Sequence, residues 1–142
     1  FGNSVGLSEW KDIWLNEGFA CYCEWLWFEH AHGRPAHESA RSHYQVLARK
    51  KQDILLSDPG THDMFDDRVY KRGALTVHAL RRLLGDELFF LTVREYLSAA
   101  QHSTVTPDDL ISRLRAVAVD PSAVDALLDE WLNHEALPKF PA

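Results

Sequence analysis

The chain has 142 residues, the length of one ordinary domain, and 46% of them are apolar, ample for a core. Its formal net charge of −6 offers no basic footprint for nucleic acid or for an anionic membrane surface. No apolar run approaches the roughly eighteen residues of a membrane span, and no charged, apolar, small-residue leader is visible.

Residues Phe1 to Asp12 have no helical period and read as extended chain or loop. A first helix is expected from Asp12 or Ile13 to about Ala31. It is apolar almost all the way round, with Trp14, Leu15, Phe19, Tyr22, Trp25, Leu26, Trp27 and Phe28, as for a helix inside a protein. Glu17 and Glu24, seven residues apart, share one of its faces. A carboxylate among indoles is costly unless a cation, a metal or strong donors meet it. The pair can also sit at a wet margin of the helix or face arginines. Cys21 and Cys23 point to different sides and make no CxxC motif. They read as free, buried, packing cysteines, which suits a reducing compartment such as the cytoplasm.

His32-Gly33-Arg34-Pro35 ends the first helix, with Gly33 at the C′ position. A second helix is predicted from Pro35 to Leu56, then a turn at Asp58-Pro59-Gly60-Thr61 and a loop to about Phe65. A third, Asp66 to Leu84, has Val69, Tyr70, Ala74, Val77, Leu80, Leu83 and Leu84 at helical spacing. Gly85 closes it and Asp86 caps a fourth, which runs to about Ala100. Thr106-Pro107-Asp108-Asp109 and Asp120-Pro121-Ser122 each carry a cap followed by proline, and start helices five and six. Leu137 to Pro141 reads as an extended tail. The expected fold is all-α, about six helices in one domain, with no internal repeat.

Two residues stand out chemically. Glu17 is one. Tyr70 is the other: Gly73 lies one turn later on nearly the same face, and a mid-helix glycine costs about 1 kcal/mol against alanine. Such a notch admits a ligand or another backbone, and a phenol beside it can donate to a developing oxyanion. The alternative is a core tyrosine whose hydroxyl reaches the surface. The eight histidines show no His-x-x-x-His spacing and read as mostly solvated. There is no phosphate-binding glycine loop, no serine nucleophile elbow and no calcium-loop spacing of aspartates.

Phe1-Gly2-Asn3 and Trp10-Lys11-Asp12-Ile13-Trp14-Leu15-Asn16-Glu17-Gly18-Phe19-Ala20 resemble the aminopeptidase N family of zinc metallopeptidases, the gluzincins. There a His-Glu-x-x-His-x-Trp-Phe-Gly-Asn helix precedes Trp-Leu-Asn-Glu-Gly-Phe-Ala. With Phe1-Gly2-Asn3 in that register, the family's third zinc ligand, a glutamate, falls on Glu17 without a gap. Val69-Tyr70-Lys71-Arg72-Gly73-Ala74 resembles the family's Tyr-x-Lys-Gly-Ala motif, with Arg72 in place of lysine. Trp131-Leu132-Asn133-His134-Glu135-Ala136-Leu137-Pro138 resembles Trp-Leu-x-x-x-Gly-x-Pro, with Ala136 in place of glycine.

The resemblance implies the helical C-terminal lobe of a thermolysin-like catalytic domain. In an intact parent, two histidines and Glu17 would hold zinc, and the glutamate of the His-Glu motif would activate water. Tyr70 would stabilise the tetrahedral intermediate on a peptide substrate. Glu24 follows from the helix wheel as a group that orients a ligand through a hydrogen bond. This chain contains neither histidine ligand, nor the general base, nor the Gly-x-Met-Glu-Asn segment that binds a substrate amino terminus. The expectation is therefore a piece without zinc or activity of its own. Its natural partner would be the N-terminal part of the same domain, and without that part it would self-associate. The rival reading is a non-enzymatic all-helical interaction module. Side-chain preference, and whether a parent is an aminopeptidase or another hydrolase of the family, are not written in these residues.

Overall fold

A computed structural model describes residues 13–57, 66–101 and 107–141. The described residues form six helices: α1 (Ile13–His32), α2 (Ala36–Ala48), α3 (Asp67–Leu84), α4 (Asp86–Ala100), α5 (Pro107–Val117) and α6 (Pro121–Leu132). The all-α expectation holds. The expected loop before α1, the turn at Asp58 to Thr61 and the Thr106 cap lie outside the described residues.

Local signals set most of the boundaries. Asp66 caps α3 by accepting from the Arg68 amide at 2.8 Å, and Asp120 caps α6 by accepting from Ser122 at 3.1 Å. Gly33 and Gly85 follow α1 and α3 at φ +68° and +87°, values that L side chains rarely adopt. Two boundaries differ from expectation. Asp86 is not a cap but the first helical residue after Gly85, and its carboxylate instead meets Arg81 at 2.9 Å. α2 stops at Ala48, not Leu56, because the Gln52 amide donates to the Leu47 and Lys50 carbonyls and closes the helix end. The freed segment buries Leu56 and donates from the Ser57 amide to the Leu132 carbonyl at 2.9 Å.

α3 is the axis of the fold. It packs against α1, α2, α4 and α6, and every residue from Arg72 to Arg81 is buried. The sequence reads α1 as a helix inside the protein, apolar almost all the way round, but α1 buries one stripe (Trp14, Leu15, Phe19, Tyr22, Trp25) and leaves Trp27 61% and Phe28 46% exposed on its outer side. Cys23 is exposed there too, against expectation, while Cys21 is partly buried.

Polar groups inside α3 are satisfied. His78 is 1% exposed, which corrects the solvated reading for that histidine. Its Nδ1 lies 2.8 Å from the Tyr22 hydroxyl and its Nε2 lies 2.9 Å from His37 Nδ1. Arg81 donates to Tyr22 at 3.1 Å and to Asp86 and Glu29. His30, His32 and His134 are exposed as expected, His43 stacks on Trp25, and His62 and His102 lie outside the described residues.

Arg72 does a different job. Its guanidinium donates to the carbonyls of Trp131, Glu135, Glu130, His134 and Ala136 at 2.8, 2.9, 3.4, 2.5 and 3.1 Å. It closes the C-terminal end of α6 and joins that end to α3. The expected extended tail then docks on α2: Tyr44 donates to the Pro138 carbonyl at 2.6 Å, and Phe140 packs on Tyr44, His37 and Arg41.

Candidate metal and oxyanion site

Gly18 follows Glu17 on α1, and Gly73 lies one turn after Tyr70 on α3. The two helices cross at these glycines with backbone against backbone. A Cβ built on Gly18 would lie 2.7 Å from the Gly73 carbonyl carbon, and one on Gly73 would lie 3.0 Å from both Gly18 Cα and the Trp14 carbonyl oxygen. Of the two occupants the notch at Gly73 could admit, it takes another backbone.

The crossing brings Glu17 and Tyr70 together. Both side chains are partly exposed, and burial followed by the Glu17 carboxylate and Asp67 raises the Tyr70 phenol above its ordinary range. The phenol therefore keeps its proton throughout neutral conditions and is a hydrogen-bond donor. Among the described residues, neither Glu17 nor Tyr70 has a hydrogen-bond or ion-pair partner, so arginine pairing does not account for Glu17 there.

The base of Tyr70 is held by ion pairs on the first turn of α3. Arg68 bonds Asp66 at 3.0 Å, Asp53 at 2.5 Å and the Lys51 carbonyl at 2.8 Å, pinning residues 51–53 to that turn. Asp67 pairs with Lys71 and with Lys50. Glu24 is exposed two turns beyond Glu17, and its charge acts on Cys21 and His43. Burial first, then Glu24, pushes the Cys21 thiol up to about 11, so it is no thiolate nucleophile at neutral pH.

The donor set limits what this site can hold. Among the described residues no three His, Cys, Asp or Glu side chains converge as a metal site. Glu17 offers one hard oxygen donor, suited to zinc as one ligand of several and insufficient alone. Among the same residues no helix is long and apolar enough to cross a membrane.

The model of the peptidase family M1 domain matches residues 1–131. The chain belongs to peptidase family M1. Aminopeptidase N of Mus musculus is 30% identical over 157 residues, covering 97% of this chain and 16% of the relative. Aminopeptidase N of Lactococcus lactis subsp. lactis is 29% identical over 150 residues, covering 97% and 17%. The M1 zinc metallopeptidase of Deinococcus radiodurans superposes with a TM-score of 0.85 at 30% identity, over 98% of this chain and 31% of that one. A mutant of it was solved with a Tyr-Ser-Ala substrate at the same TM-score. The chain thus spans about a sixth of the curated M1 relatives and under a third of the solved one.

Sequence reasoning did not single out Gly18, the acceptors of Arg72 or the His37–His78–Tyr22–Arg81 network. Gly18 carried a usable signal, a second mid-helix glycine beside a candidate residue. The other two depend on pairings 41 to 64 residues apart, which no local pattern encodes.

Proposed function

We propose that this chain is the helical lobe of an M1 zinc aminopeptidase catalytic domain, supplying Glu17 as a zinc ligand and Tyr70 as the donor to the reaction's oxyanion. The observation that carries this is the close Gly18–Gly73 crossing beside Glu17 and Tyr70, across which the Glu17 charge acts on the protonated phenol. The remaining ligands and the general base would come from the segment of the domain that precedes Phe1. Zinc, when bound, supplies Lewis-acid activation of water and of the scissile carbonyl.

This chain's residues then have separate duties. The Glu17 carboxylate holds the metal from the α1 side. Tyr70 donates its hydroxyl proton as a hydrogen bond where negative charge develops on a peptide carbonyl, without giving the proton up. Glu24 would act on a ligand from the same face of α1, orienting it through a hydrogen bond.

In the full-length protein, Glu17→Gln is expected to lose zinc, read by metal analysis after gel filtration. Tyr70→Phe is expected to keep zinc and lower kcat by about 10²–10³-fold on an N-terminal aminoacyl reporter. Full zinc content in Glu17→Gln, or unchanged kcat in Tyr70→Phe, would remove the assigned role. Codons before Phe1 that do not encode His-Glu-x-x-His-x-Trp would turn the reading toward a non-enzymatic helical module.

A further inference from the structure

Neither Gly18 nor Gly73 has a positive φ; only Gly33 and Gly85 do among the described residues. Backbone conformation therefore gives no reason for glycine at either position, and in a free helix alanine would be the better residue. The reason lies across the interface. A Cβ on Gly18 falls about 0.7 Å short of the 3.4 Å at which ordinary contact begins, and it meets carbonyl backbone rather than a side chain that can swing away. A Cβ on Gly73 falls about 0.4 Å short, again against backbone. Helices with side chains at their crossing keep their axes about 8–10 Å apart. These two meet backbone to backbone because neither has a side chain there.

The place of this contact is what gives it meaning. Gly18 adjoins Glu17, and Gly73 is one turn from Tyr70, so any separation at the crossing acts directly on the gap between the two groups. Farther along, Tyr22, Trp25, Val77 and Leu80 bury their side chains in the common core and hold the rest of both helices in place. The first turns of α3 are also tied down by Arg68 and, on the far side, by Arg72. An added methyl therefore displaces the site locally and leaves the bundle standing.

We infer that the Gly18–Gly73 backbone contact sets the separation of the Glu17 carboxylate and the Tyr70 hydroxyl, making both glycines positioning residues for the reaction. This rests on the function proposed for Glu17 and Tyr70. A misplacement approaching 1 Å at reacting groups can cost about 10²-fold in rate. Gly18→Ala, with the larger overlap, should then lose more than Gly73→Ala.

The test uses the full-length protein with Gly18→Ala, Gly73→Ala, Tyr70→Phe and Glu17→Gln side by side. Expected is a kcat lowered about 100-fold in Gly18→Ala and about 10-fold in Gly73→Ala, with KM within about twofold. A second readout needs neither zinc nor turnover: titration of the Tyr70 phenol by NMR of ring-labelled tyrosine, in metal-free protein. Glu17→Gln should lower that phenol's pKa in the parental background and lower it much less in either alanine background.

Alanine variants that fold, turn over normally and keep the full Glu17–Tyr70 coupling would overturn the inference while Tyr70→Phe still loses rate. If Tyr70→Phe and Glu17→Gln leave turnover unchanged, the proposed function fails, and the phenol titration still decides whether the glycines set the gap. Should Gly18→Ala not fold, Gly73→Ala carries both readouts.

Discussion

Arg72 offers the sharpest quantitative test of the packing. Its guanidinium meets five carbonyl oxygens, one at Nε, one at Nη1 and three sharing the two hydrogens of Nη2, and these acceptors are main-chain carbonyls at the end of α6 and just beyond. Arg72→Met removes every donor and the positive charge that complements the helix end. The Trp131 carbonyl is deeply buried and bears the full cost of an unmade bond, about 1–3 kcal/mol. His134, Glu135 and Ala136 are exposed, so water can meet their carbonyls and each loses less. Together these give about 4 kcal/mol for Arg72→Met, in line with removing one partner of a buried charged contact.

Arg72→Lys keeps the charge but has three donors on one nitrogen and no planar fork. An ammonium near the Nη2 position can serve His134, Ala136 and Glu130, and abandons Trp131 and Glu135. The expected cost is about 2 kcal/mol. Urea unfolding followed by tryptophan fluorescence reads both, with a slope of about 1.5 kcal/mol/M for a chain this size. Arg72→Lys should therefore shift the midpoint down by about 1.3 M and Arg72→Met by about twice that. Because the acceptors are uncharged, neither shift should change between low and moderate salt. A midpoint for Arg72→Met within 0.5 M of the parent, on the order of 0.8 kcal/mol, would show that the guanidinium does not hold the two helices together.

Stability should also fall in mild acid. Burial above all, with the charges of His37, Arg81 and Arg82, pulls His78 down to about 4, whereas the unfolded histidine titrates near 6.5. Between those values the unfolded chain binds the extra proton, so this contribution is complete above about pH 6.5 and is lost as pH falls toward 4. The loss approaches 3 kcal/mol, and urea midpoints at pH 7.5, 5.5 and 4.5 follow it; a flat series would contradict the buried placement of His78. Trp27 and Phe28 give the 142-residue chain an exposed aromatic face, and light scattering should find dimers or larger species at high concentration. A clean monomer would count against that. The same chain, assayed alone, should neither retain stoichiometric zinc after dialysis nor hydrolyse an aminoacyl reporter.

Local chemistry was legible in the sequence wherever one segment decides the outcome. The Asp120-Pro121 start, the Gly33 stop and the six-helix pattern all rest on residues within a turn of each boundary. The end of α2 was not legible, because Gln52 folding back on its own helix competes with an apolar period that continues to Leu56. The central place of α3 was not legible for a similar reason. α3 carries Arg72, His78 and Arg81 at core positions, and hydrophobic patterning reads such residues as surface unless their distant acceptors are known. At the site, Glu17 and Tyr70 could each be picked out from their own surroundings. That the charge of one acts on the other follows from two glycines 55 positions apart in sequence, which only the packed helices bring together.

The buried chain from Arg81 to His37 has a direction. A guanidinium can only donate, so the Tyr22 oxygen accepts from Arg81, and the acceptor this network offers for the phenol's own hydrogen is His78 Nδ1. Neutral His78 must then carry its hydrogen on Nε2 and donate it to His37 Nδ1, which leaves His37 its hydrogen on Nε2. Of the four tautomer combinations open to two neutral imidazoles, two fill both ring contacts, and of these only this one also gives the Tyr22 hydrogen an acceptor. A half-turn of either ring would set a C–H where a nitrogen is required. The interior of this bundle thus favours one arrangement of protons, written outward from one arginine, and ¹⁵N chemical shifts of the two imidazoles would display it as two rings that both carry their hydrogen on Nε2.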